Sequence, residues 1–132
     1  MQKTLRIPSE LNAAQRAENQ LLQEVVSCGY SEASAFAIKL AVEEAINNAI
    51  KHGNKFDRQK MVDLTFEVGP EQAVVTVADQ GDGFDPSSLP DPTADENLEK
   101  PTGRGVMLMR AYMDEVRFSP RGNQVQMVKK NT

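Results

Sequence analysis

Between residues 38 and 50 the apolar side chains Ile38, Ala41, Val42, Ala45, Ile46, Ala49 and Ile50 recur at i, i+3, i+4, i+7 spacing, the rhythm of a helix with one face against a core. A strand cannot use that rhythm, because its successive side chains point to opposite faces. The segment is therefore expected to be helical from the cap at Ser31 to about Lys51, with the run His52-Gly53-Asn54 as its glycine stop. Along the border of the apolar stripe stand Glu44, Asn48 and His52, each four residues from the next. At 3.6 residues per turn such a step advances only about 40° around the axis, so the three form a row facing a half-buried cleft. A carboxylate, a carboxamide and an imidazole in such a row are groups suited to holding a metal ion and managing a proton.

The remaining chain supplies a sheet for this helix to cover. Residues 61–68 alternate cleanly, with Val62, Leu64, Phe66 and Val68 on one face and Asp63, Thr65 and Glu67 on the other, as a half-buried strand does. Gly69 and Pro70 turn the chain, and the β-branched run over residues 73–78 completes an antiparallel hairpin. Residues 3–7, 115–118 and 124–128 read as three further strands. Ser9 is placed to cap a first helix carrying Leu11, Ala14, Leu21, Leu22 and Val25 on one side, and Gly29 ends it. Met107, Met109 and Met113 in a last helix read as core fillers.

At 132 residues the chain is the size of one domain able to enclose a core. Its net charge of -4 comes without the basic stripe that nucleic-acid binding requires, so DNA and RNA are not expected partners. The beginning, MQKTLRIPSE, lacks an apolar signal segment, and no apolar run is long enough to cross a bilayer, which points to the cytoplasm. Cys28 is the lone cysteine, which excludes an internal disulfide and a cysteine-based zinc cluster.

Two glycine phrases flank a segment with no periodicity. Asp79-Gln80-Gly81-Asp82-Gly83-Phe84 follows a strand, and two close glycines let backbone pass near a planar ligand beside a fixed Asp79. Residues 85–101 hold four prolines, Pro86, Pro90, Pro92 and Pro101, and five acids, and read as a lid. Then Thr102-Gly103-Arg104-Gly105-Val106 leads into an apolar helix over residues 106–113. A glycine-rich turn at a helix N-terminus presents unpaired N–H groups and the positive end of the helix dipole to an anion such as phosphate. Each phrase alone is an ordinary turn or cap more often than a site.

Taken together and in this order, helical ExxxNxxxH, a strand ending in DxGxG, a lid, and TGxG opening a helix resemble the boxes of the GHKL (histidine-kinase-like) ATP-binding superfamily. The length and the ending TGRGVMLMRAYMDEVRF are similar to the bacterial anti-sigma-factor serine kinases. That resemblance implies an α/β fold, a two-layer sandwich of a mixed sheet with about three helices on one face, as one domain over residues 1–132. It implies ATP and Mg²⁺ as cofactors, with Asn48 as metal ligand and Glu44 as the general base that takes a proton from the attacking hydroxyl. Glu43, about 100° away on the helix, is the poorer candidate. Asp79 would accept the adenine amino group, with Gly81 and Gly83 letting backbone approach the base. Thr102, Gly103, Gly105 and Val106 match the phosphate-cradling box, with Arg104 or Lys100 adding charge; the role of His52 stays open.

The implied activity is that of an anti-sigma factor and serine kinase that phosphorylates an anti-sigma-factor antagonist in a partner-switching pathway, acting as a homodimer joined through the strand at residues 3–7. Two alternatives remain at this point: a non-catalytic ATP-binding regulatory module, and a detached histidine-kinase catalytic domain.

Overall fold

A computed structural model describes residues 2–81 and 101–131. In chain order they form β1 (Gln2–Pro8), α1 (Leu11–Ser27), α2 (Glu32–Asn48), a π-helical turn (Ala49–Gly53), β2 (Met61–Val68), β3 (Gln72–Ala78), α3 (Pro101–Tyr112), β4 (Glu115–Phe118) and β5 (Gln124–Lys130). The strands lie in the order β1-β2-β3-β5-β4. Every described pairing is antiparallel, so the sheet is not mixed as expected. Each neighbouring pair here is joined through an antiparallel ladder, and β5, not β4, pairs with β3.

Register explains the two layers. One row, Leu5, Leu64, Val77, Val125 and Phe118, crosses all five strands, and the row of Phe66, Val75, Met127 and Val116 runs beside it. Both point to one face, where α1 and α2 cover them. The neighbouring row on the other face is Thr4, Thr65, Thr76, Gln126 and Arg117. Because side chains alternate along each strand, a slip of one residue would expose the first set. The stripe read from the sequence is the centre of the core: Ile38, Ala41, Val42, Ala45, Ile46, Ala49 and Ile50 are all buried. Each large member stabilises by about 1.5–3 kcal/mol on leaving water. None of the described helices is long and apolar enough to cross a membrane.

Local chemistry set several boundaries differently from expectation. Ser31 caps α2, its hydroxyl accepting from Ser34 N–H at 3.1 Å. Ser9 does not cap α1; Glu10 takes the N-cap position with no side-chain bond, and the Ser9 hydroxyl donates to the Lys60 carbonyl at 2.6 Å. Leu11, expected on the buried side of α1, is 46% exposed, and Met107 is 48% exposed while Met109 and Met113 are buried. Gly29 ends α1 in the left-handed region as expected, at φ 81. Gly53 does not: the left-handed residues after α2 are Lys55 (φ 52) and Phe56 (φ 60), although neither is glycine. α2 stops at Asn48 and continues as a π turn, with Asn54 N–H donating to Ala49 O at 2.7 Å.

α3 starts at Pro101, five residues earlier than the expected Val106, so Thr102, Gly103, Arg104 and Gly105 belong to the helix and do not form a turn before it. Proline suits a first helical position, where no partner for an N–H is required. The expected lid, except Pro101, and Gly83 lie outside the described residues.

One carboxyl is buried between α1 and α2. Glu18 is 9% exposed, and its pKa is pushed up to about 7 by desolvation and by Glu43, with Lys39 opposing. Ionising a carboxyl whose folded-state pKa is raised costs stability, so the penalty is absent below about pH 4.5, grows as pH rises and is complete above about 7. Glu18→Gln is expected to be more stable than the parent by about 1–3 kcal/mol at pH 8 and indistinguishable at pH 4. Denaturant melts at the two pH values check this, and equal differences at both would contradict it.

Candidate functional site

The end of α2, the π turn, the end of β3, α3 and the β4–β5 hairpin converge on a cavity of about 260 Å³. That is near the lower end of ligand pockets, about 300–1,000 Å³. The apolar lining is Val77, Val106, Met109, Phe118 and Val125. The polar groups are few: Asn48, His52, Asp79, Asn123 and Gln124. An apolar slot with a handful of placed polar atoms holds a flat ligand by area and orients it by hydrogen bonds.

Asp79 is the best-defined of these groups. Its own N–H donates to the Asn123 carbonyl at 2.9 Å, and its Oδ1 accepts from Gly81 N–H at 2.8 Å. Partial burial raises its pKa, an effect that the Gly81 N–H and Lys60 oppose. A half-buried carboxylate accepts and cannot donate, so it selects a ligand edge that carries an N–H.

The glycines are explained by contact. A Cβ on Gly53 would overlap the Asp79 carboxylate, and one on Gly81 would overlap the Gly53 carbonyl. Gly53 is thus part of the site; in the sequence it read only as a helix stop. The signal that could have found it is the pairing of a glycine after the polar row with a second glycine after Asp79. The wide π turn, a feature often found at functional positions, ends at the residue that packs on that carboxylate.

Of the residues singled out in the sequence, Asn48, His52, Asp79 and Val106 line the cavity together, and Gly81 adjoins it through Asp79. Glu44 is half-buried one turn before Asn48 and is not among the described lining residues. His52 is exposed at its outer side, and partial burial and Lys51 keep its imidazole below its ordinary pKa. Thr102, Gly103, Arg104 and Gly105 lie in the first turn of α3, immediately before Val106. The hairpin residues Phe118, Asn123 and Gln124 carried no functional signal in the sequence, because only strand pairing brings them beside Asp79.

This fold and this cavity define a class: the chain belongs to the histidine kinase-like ATPase domain family, whose model matches residues 7–129. It is a GHKL protein, and three of its relatives are named serine-protein kinases. It is 39% identical over 111 residues to the serine-protein kinase RsbW of Bacillus licheniformis, covering 76% of this chain and 68% of that one. It is 37% identical over 97 residues to RsbW of Bacillus subtilis, covering 67% and 59%. To RsbW of Staphylococcus epidermidis it is 33% identical over 99 residues, covering 69% and 62%. The matches thus span about 59% to 68% of those relatives' own length. In fold it is similar to the RsbU and RsbW domains of a Mycobacterium tuberculosis protein, with a TM-score of 0.67 at 16% identity over 99% of this chain and 32% of that one.

Proposed function

We propose that this chain is a Mg-ATP-dependent anti-sigma factor and protein serine kinase that phosphorylates an anti-sigma-factor antagonist in a partner-switching pathway. The observation that carries the reading is the cavity that Asp79, a set of apolar side chains and Asn48 at the end of α2 line together. Adenine fits the slot, its amino group donating to Asp79, while the apolar lining covers its faces. The triphosphate runs toward the first turn of α3, where Thr102 and Gly103 offer unpaired helix N-terminal amides at a positive dipole end and Arg104, Gly105 and Val106 follow directly along the helix.

Among the described residues no group of three or more His, Cys, Asp or Glu forms a metal cage. The Asn48 carboxamide oxygen is a hard ligand of the kind that holds Mg²⁺ together with phosphate and water, so the donor set suits this ion. The ion's chemistry is to neutralise charge across the β- and γ-phosphates. Glu44 takes the proton of the antagonist's serine hydroxyl as that oxygen bonds to the γ-phosphorus, the bond to the β–γ bridging oxygen breaks, and ADP leaves. Gly83, outside the described residues, belongs to the same reading as part of the nucleotide-binding set. Function of this kind places the protein in the cytoplasm, with no direct contact to nucleic acid or membrane. Pairing of two copies through β1, which among the described strands has only β2 beside it, would make the homodimer.

A second reading, an ATP-occupied module that regulates by docking without chemistry, draws on the position of Glu44 outside the described cavity lining. The test is a pull-down in Mg-ATP and in Mg-ADP, with captured proteins identified and assayed for phosphoserine, on protein whose association is followed by sedimentation. The expected result is a nucleotide-dependent exchange of partners, an acid-stable phosphoserine on one of them, and a dimer. Nucleotide-dependent partners without phosphate transfer would leave only the docking module, an acid-labile phosphohistidine would point to a detached histidine-kinase domain, and a monomer at every concentration would remove the dimer.

A further inference from the structure

Three successive amides after β3 each have an assigned acceptor. Asp79 N–H donates to Asn123 O at 2.9 Å, Gln80 N–H to Asn54 Oδ1 at 2.8 Å, and Gly81 N–H to Asp79 Oδ1 at 2.8 Å. The middle bond reaches across to the loop that follows the π turn. Asn54 is 1% exposed, and its amide is fully used: Nδ2 donates to Ser9 Oγ and to Met61 O, each at 3.0 Å. Its orientation follows from its partners, since a reversed amide would set NH₂ against the Gln80 N–H. Gln80 returns the connection, its Oε1 accepting from Met61 N–H at 2.6 Å. Gln80 and Asn54 thus clasp each other through the first residue of β2, and Asp79 is held between that clasp and the β4–β5 hairpin.

We infer that Asn54 and Gln80 form a latch that positions the Asp79 carboxylate for nucleobase selection, so that the residue between Asp79 and Gly81 sets how strictly adenine is chosen. The physical reason is directional. A carboxylate flanked by free peptides can swing and accept from many donors; one whose peptide planes are pinned on both sides accepts only where the base edge presents its N–H. Gly53, packed on the same carboxylate from the π turn, removes the remaining space on that side. Gln80 is exposed, so its side chain serves this contact and not the core.

The inference rests on the adenine reading of Asp79, and the test separates the two. Equilibrium binding of ATP and of inosine triphosphate, which carries a carbonyl where adenine has its amino group, is measured for the parent, Asp79→Asn, Gln80→Leu and Gln80→Glu, with thermal unfolding of each. Gln80→Leu is expected to lower ATP affinity about tenfold, the scale of one hydrogen bond to a charged group, with inosine triphosphate affinity and melting temperature unchanged. Gln80→Glu keeps an acceptor for Met61 N–H and is expected to restore the parent's ratio. If Gln80→Leu keeps the parent's ratio while Asp79→Asn loses it, the latch is wrong and the base site stands. If Gln80→Leu weakens both nucleotides equally and lowers the melting temperature, the role is structural and the latch is again wrong. If Asp79→Asn itself keeps the ratio, the adenine reading falls and takes the latch with it.

Discussion

Glu44→Gln is expected to bind Mg-ATP within about threefold of the parent while phosphate transfer to the antagonist falls by about 10²–10⁴-fold, the range contributed by a general base. The substitution keeps size and hydrogen bonding and removes the proton acceptor. Glu44 lies one helical turn from Asn48, half-buried, outside the described lining of the cavity, so it has no evident part in holding the base or the sugar. Single-turnover transfer at saturating nucleotide isolates the chemical step from binding. A variant that transfers at the parental rate would exclude Glu44 as the base, and a parent that transfers nothing would leave the docking module in its place.

The second large effect comes from one methyl group. In Gly81→Ala the new Cβ would overlap the Gly53 carbonyl, which is backbone and cannot rotate away as a side chain would. Overpacking of this kind is destabilising by about 1–3 kcal/mol. Relief requires the segment after β3 to move away from the π turn, carrying with it the Gly81 N–H that Asp79 Oδ1 accepts. Nucleotide binding is therefore expected to fall at least tenfold even at temperatures where the variant is fully folded. Calorimetric titration with ATP, beside a denaturant melt, checks both halves. Parental affinity in a folded Gly81→Ala would show that the close approach of the two glycines is incidental to the site.

How much of this was legible beforehand depends on the range of the interaction concerned. The buried face of α2 and the inward positions of β2 were readable residue by residue, because helical and strand periodicities are properties of consecutive side chains. The cap at Ser31 was readable for the same reason. The boundaries of α3 and the end of α2 were not. A sequence with two glycines at Gly103 and Gly105 has weak helical preference there, yet the helix extends back to Pro101. At Gly53 the local rule suggested a left-handed stop, whereas the requirement came from Asp79, 26 residues later in the chain. Ser9 had the right chemistry for a cap, but its hydroxyl was drawn to Lys60 and Asn54 once β1 and β2 had paired.

The candidate site divides along the same line. By itself the sequence singled out the side chains proposed for the chemistry, Glu44, Asn48 and Asp79, and determined that the two polar positions on α2 share an edge, since a helix imposes this on any residues four apart. Only the tertiary structure decided what surrounds Asp79. The Phe118 side chain, the Asn123 carbonyl, the Gly53 contact and the Asn54–Gln80 clasp are brought there by antiparallel pairing of β3 with β5 and by the π turn. Pairing between distant strands depends on how a whole sheet buries its apolar face, and no short stretch of sequence carries that information.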